Sequence, residues 1–211
     1  MRIILALLLS SVLVACAGKV DYIRPSANAA AGANAKTIER AREAVWNAAV
    51  PELGKQFFVI NNLDKSSGLI NISYSGDPER YIDCGRITSY VKNARGERTY
   101  DFPASKAQQS YEIMNPGVGL FALDRRMNLE GRVNLIFEEV GPSTTRVTAN
   151  TRYVVARSQV VSNTQGASRT FNDTISFNSG AGASFPSDSD GRSAECVSTG
   201  ALEREVLSAI R

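Results

Sequence analysis

Three cysteines and no histidine, in 211 residues, set the chemistry open to this chain. Without imidazole, neither Ser-His-Asp nor Cys-His nucleophilic machinery can be assembled, and a His-ligated zinc or haem site is excluded as well. Paired carboxylates could still serve as acid and base. Glu138 and Glu139, however, are neighbours in a strand pattern and point to opposite faces, so they cannot converge on one bond. Asp188-Ser189-Asp190-Gly191, with Glu195 beyond it, has part of the pattern of a calcium loop, since hard cations take several oxygen ligands around a Gly turn. A third ligand ahead of the glycine and the flanking helices are missing, so the stretch reads as a solvated loop, with calcium as the alternative. The sequence therefore assigns no catalytic residue, no metal ligand and no cofactor, and points away from an enzyme.

Cys16 is the residue with the most specific surroundings. Met1-Arg2 leads into the uncharged stretch from Ile3 to Val14, then small residues, then the thiol. The stretch is too short to span a bilayer, which takes about 20 apolar residues, but it fits a secretory signal before its cleavage site. Leu13-Val14-Ala15-Cys16 resembles the lipobox of bacterial outer-membrane lipoproteins. That resemblance implies cleavage before Cys16, acylation of its thiol, and an anchor through that lipid. Ala17 stands where an inner-membrane retention signal would place Asp, which implies the outer membrane, with the domain facing the periplasm. An ordinary secretory signal and an uncleaved anchor are the other readings. In such an oxidising compartment Cys84 and Cys196 form an even pair, and a disulfide is expected between them, with two buried free thiols as the alternative.

Charge narrows the partners. Lys and Arg number 24 against 21 acidic residues, a formal +3, and the only adjacent basic pair is Arg125-Arg126. Neither a nucleic-acid stripe nor a polybasic membrane patch is present in that pattern.

These residues need a scaffold. Residues 1–15 read as the signal peptide, and 16–36, rich in Ala, Asn, Gly and Ser, as a lipidated flexible tether, about 25 Å in root-mean-square span. Residues 37–211 read as a single periplasmic domain, a size that supports one core. Its first helix runs from Thr37 to about Gly54, with Ile38, Ala41, Val45 and Ala49 on one stripe and Trp46 on its flank as core. Strands follow over Gln56 to Ile60 and Leu69 to Tyr74. The helix ending near Trp46, then Phe57-Phe58-Val59-Ile60, Asp64, Gly68, Ile70, Ile72 and Tyr74, resembles the helix-grip repeat of the C subunit of the β-barrel assembly machinery. The match covers roughly residues 38–75. It implies a helix gripped by a sheet and a role among envelope proteins; that family carries two such repeats, this chain one.

Residues 93–115 lack a period and read as an irregular polar insertion. The clearest strands come next. Val133, Leu135 and Phe137 alternate with polar neighbours, and after Gly141-Pro142-Ser143 the odd positions from Thr145 to Val155 form an inner face. Arg146 and Arg152, with Arg157 nearby, mark a basic outer face. A third strand, Arg169 to Phe177, turns Phe171, Ile175 and Phe177 inward; Asp173 among them suggests an edge or a bulge. A last helix buries Leu202, Val206, Ala209 and Ile210, with Ser198 or Thr199 as its cap.

The expected fold class is α+β, a curved antiparallel sheet with an N-terminal and a C-terminal helix packed on it, helix-grip-like. The expected function is a membrane-anchored, non-catalytic interaction or accessory module in cell-envelope assembly or maintenance, with an envelope protein as partner. The contact surface would be the insertion over 93–115 or the strand face. The alternative is a carrier or sensor of lipid or another apolar ligand in a cavity under the last helix, lined by Phe137, Tyr153, Phe171 and Phe177.

Overall fold

A computed structural model describes residues 17–26, 34–115, 117–187 and 193–211. In chain order the elements are β1 (Ala17–Ile23), β2 (Ala35–Ile38), α1 (Arg42–Gly54), β3 (Val59–Asp64), β4 (Leu69–Gly76), β5 (Ile82–Asp83), β6 (Arg86–Asn93) and β7 (Gly96–Pro103). They continue with β8 (Gln108–Asn115), β9 (Gly119–Gly141), β10 (Thr144–Asn163), β11 (Ser168–Asn178), β12 (Gly182–Ser184), β13 (Glu195–Ser198) and α2 (Ala201–Ser208).

The long β9–β10 hairpin is the spine. Its period-2 pattern holds without interruption: Leu123, Arg125, Met127, Leu129, Val133, Leu135 and Phe137 are buried on β9, and the odd positions from Thr145 to Gln159 on β10. Alternation of this length turns one whole face of both strands to the interior. Around the hairpin a seven-stranded antiparallel sheet is ordered β11-β10-β9-β4-β3, with β2 added to β10 and β8 to β9. Two three-stranded sheets, β1-β6-β7 and β12-β13-β5, complete the fold.

Both helices and the β1-β6-β7 sheet lie on the inner face. Trp46 of α1 meets Phe137 edge to face, ring centroids 5.2 Å apart, inside the main core. α2 seats at Gly131, where an added Cβ would lie 2.7 Å from Leu202 Cδ2, so the helix comes this near only because that position carries no side chain. Nearer the start of β9, Phe102, Tyr111 and Leu123 form a second small core beneath β6 and β7.

Several expectations are corrected. Strand accounts for 62% and helix for 12% of the described residues, so the α+β, helix-grip-like class is overturned: the fold is mostly β, with several antiparallel sheets. The physical source of the error is residues 93–115, where β7 and β8 stand in place of an irregular loop. β7 is an outer strand, exposed at most of its positions, so no apolar alternation marks it. Backbone pairing with β6 along its whole length and the buried Phe102 hold it, and charged pairs flank it: Lys92 with Glu97 and Arg86 with Asp101 to β6, and Arg98 with Glu112 to β8. Within the stretch expected as a tether, Ala17–Ile23 is a strand paired antiparallel with β6. Thr37 and Ile38 belong to β2 on β10, and helix starts at Arg42. The strand expected over Gln56 to Ile60 instead runs Val59–Asp64, with a register shift between Ile60 and Asn62. Cys16, with residues 1–15 expected as a signal peptide, lies outside the described residues, as do residues 27–33.

Candidate functional site

The disulfide expectation stands: Cys84 and Cys196, both fully buried, have sulfurs 2.04 Å apart. The bond joins the segment between β5 and β6 to β13, just ahead of α2. Tyr22 of β1 reinforces the same junction. Its hydroxyl faces the Cys84 carbonyl at 3.1 Å and the Glu195 carbonyl at 3.2 Å, and accepts the Glu195 N–H at 2.9 Å. Burial, the largest influence, raises the Tyr22 pKa.

On the far side of that junction lies a feature that no sequence pattern announced. Phe57, just before β3, is 54% exposed. Its ring lies 4.6 Å from that of the buried Phe58 and 5.8 Å from Tyr74 on β4. Tyr74 in turn meets Tyr81 edge to face at 4.8 Å, and the Arg80 guanidinium sits 5.8 Å from the Tyr81 ring. Phe57, Tyr74, Arg80 and Tyr81, with Asp77 and Glu79, line an open groove of about 690 Å³. Arg80 also lines an adjoining cleft of about 620 Å³, where Glu52 and Gln56 face Arg204, Glu205 and Arg211 around α2.

The groove is held from both sides. Tyr74 donates its hydroxyl to the Asp77 carbonyl at 3.0 Å, and Tyr81 donates to Glu205 Oε2 at 3.2 Å, the oxygen that also pairs with Arg80. Burial first, and then the Glu205 carboxylate, push the Tyr81 phenol up to about 12, so it stays neutral and a donor through the physiological range. Thr199 donates to the Tyr81 carbonyl and accepts the Ala201 N–H, tying α2 to the groove floor; Gly200, in the left-handed region, is the N-cap.

The groove also adjoins a sheet edge. β3 is the last strand of the seven-stranded sheet, and Val59 and Leu63 on it are 61% and 45% exposed. No described strand lies beyond β3, and an edge strand with exposed apolar side chains is a template on which an extended chain can lie. Aromatic faces, one guanidinium and flanking carboxylates can bind such a segment. Among the described residues, no group of three or more His, Cys, Asp or Glu could hold a metal ion.

Other sequence-derived candidates fall elsewhere. Asp188 and Asp190 lie outside the described residues. Arg146 and Arg152 are exposed on the outer face, but Arg157 is only 5% exposed and is corrected to the inner one. It lies opposite Asp173 in the β10–β11 register and pairs with it at 2.7 Å, with its guanidinium 4.6 Å from the Phe185 ring. The register there is unbroken, so the inward aspartate is accommodated by its arginine on an outer strand, without a bulge. Phe171, expected inside, is 38% exposed, with Arg169 over its ring.

Beneath α2, Tyr153 and Phe177 stack at 5.4 Å. Glu203, in the first turn of α2, is 1% exposed and turned into this core. Tyr153 donates its hydroxyl to both Glu203 oxygens, at 2.8 and 2.7 Å, and Ser179 donates at 2.6 Å. Burial and the adjacent carboxylate drive the Tyr153 pKa upward. Comparison with protein-family models, curated proteins and solved structures finds no match to this chain. No helix among the described residues is long and apolar enough to cross a membrane.

Proposed function

We propose that this chain is an outer-membrane lipoprotein, acylated on Cys16 and facing the periplasm, which acts without catalysis by holding an envelope protein in the Phe57–Tyr74–Tyr81 groove. The observation that carries the reading is the coincidence of the exposed Phe57 ring beside Tyr74 and the buried Tyr81, an adjoining basic and acidic cleft, and the β3 edge, which is the last of the described strands in its sheet. Contiguous exposed apolar surface rimmed by polar residues is the usual mark of an interaction site. The lipobox-like Leu13-Val14-Ala15-Cys16 supports the anchor, and the resemblance over residues 38–75 supports envelope assembly as the setting. The partner would offer an extended segment with an apolar residue for the aromatic floor. A carrier with its ligand under α2 has less support, because Leu202, Val206 and Ile210 are fully buried in one core with Phe137, Tyr153 and Phe177.

A photo-crosslinking amino acid at position 57, in living cells, tests this. A discrete adduct with one envelope protein is expected, and Arg80→Glu should reduce it about tenfold, as loss of a central contact worth about 1.4 kcal/mol does. Absence of an adduct at position 57, or a yield unchanged by Arg80→Glu, would refute the groove as the contact site.

A further inference from the structure

The pairing of Ala17–Ile23 with β6 ties the start of the described chain directly into the fold. β1 begins at Ala17, the residue covalently joined to Cys16, and one residue step is about 3.8 Å. From there β1 is in register with β6 along its full length, Ala17 opposite Lys92 and Ile23 opposite Arg86. Gly18 lies so near β8 that an added Cβ would be 2.2 Å from Met114 Cβ, and Tyr22 fixes the other end of the strand. A lipid on Cys16 would therefore pull on a docked strand with almost no slack between bilayer and fold.

Register places three hairpin tips at that same end. Asn93 opposite Gly96 closes the β6–β7 tip beside Ala17, and Asn115 opposite Gly119 closes the β8–β9 tip, one residue beyond Met114. Asn163, opposite Phe121, begins the β10–β11 tip. Val118, 69% exposed, stands on the middle tip, Arg95 is exposed on the first, and Arg169, the second residue of β11, is exposed beside the third. Lys19 and Lys92 at this level are paired with Asp21 and Glu97. An apolar tip flanked by cations suits the headgroup layer of a bilayer, where amphipathic anchors settle.

We propose that this three-tipped end rests on the lipid headgroups and that the chain is held upright on it. The proposal rests on the reading of Cys16 as the acylated residue and adds the orientation that the anchor imposes. Tyr74 in the groove is level with Gly131, twelve residues along β9 from the Gly119 tip. At the rise of an extended strand, that carries the groove about 40 Å away from the membrane, toward a periplasmic partner.

The test uses the full-length lipidated protein, reconstituted into phosphatidylethanolamine and phosphatidylglycerol vesicles with brominated acyl chains. Val118→Trp and Val140→Trp change exposed positions at opposite ends of the spine, and the native Trp46, packed on Phe137, supplies a constant background. Val118→Trp should lose about half of its added emission relative to unbrominated vesicles, as an indole at the interface does, while Val140→Trp and the native protein are unchanged. An unquenched Val118→Trp on protein that floats with the vesicles, or equal quenching of both variants, overturns the orientation. Native protein that floats no better than Cys16→Ser instead refutes the anchor itself, and the orientation falls with it.

Discussion

Replacing Cys84 and Cys196 together with alanine is expected to lower the free energy of unfolding by about 4 to 5 kcal/mol. The bond closes 112 residues of chain, and a loop of that length removes much of the freedom of the unfolded state. Its location adds a local effect. β5 has two residues and β13 four, too few pairs to hold the small β12-β13-β5 sheet without a covalent tie. The groove should suffer with it, since Tyr81 precedes β5 directly and its carbonyl is bound by Thr199 at the start of α2. Urea denaturation of both forms measures the loss, and hydrogen exchange at Val197 reports the local opening. A change in unfolding free energy under about 1 kcal/mol would show that the small sheet holds itself.

Tyr153→Phe should cost about 2 to 3 kcal/mol, the range for removing a hydrogen bond to a buried charged group. It leaves the Glu203 carboxylate in the core with the Ser179 hydroxyl but without its phenol donor. The Tyr153→Phe and Glu203→Leu double variant should recover part of that loss, because removing both polar partners leaves nothing to desolvate unpaired. A double-mutant cycle in urea isolates the coupling. If the two single losses add without coupling, the phenol and carboxylate are not supporting one another.

The spine of this fold was legible because its period is long and strict. Val133, Leu135 and Phe137 and the odd residues from Thr145 to Val155 are buried as the alternation requires. The same parity, carried two residues further, places Arg157 inside and gives Asp173 its partner, a step the pairing of β10 with β11 makes plain. Cysteine arithmetic likewise found the Cys84–Cys196 bond. What stayed hidden were the strands without an apolar face. β7 turns charged side chains outward and buries only Phe102, and β1 has only Val20 and Tyr22 as large side chains on its inner face, between Lys19, Asp21 and the small Ala17 and Gly18. Taken as a tether and a loop, these strands left helices to dominate the expected class.

The groove was harder still to see. Phe57, Tyr74 and Tyr81 are far enough apart in the chain that only the β3–β4 hairpin and the turn after β4 bring their rings together. Phe57 and Phe58 are adjacent aromatics, and the sequence gives no sign that one is buried and the other left for solvent. The exposed member of such a pair, next to an outer strand, is the signal that structure supplies.

The anchor is the claim on which location, orientation and partner all depend. Metabolic labelling with radioactive palmitate, followed by mass spectrometry of the mature N-terminus, tests it most directly. Label on the native protein, a mature chain starting at Cys16, and no label on Cys16→Ser are the expected results. An unlabelled native protein, or equal label on Cys16→Ser, would contradict it.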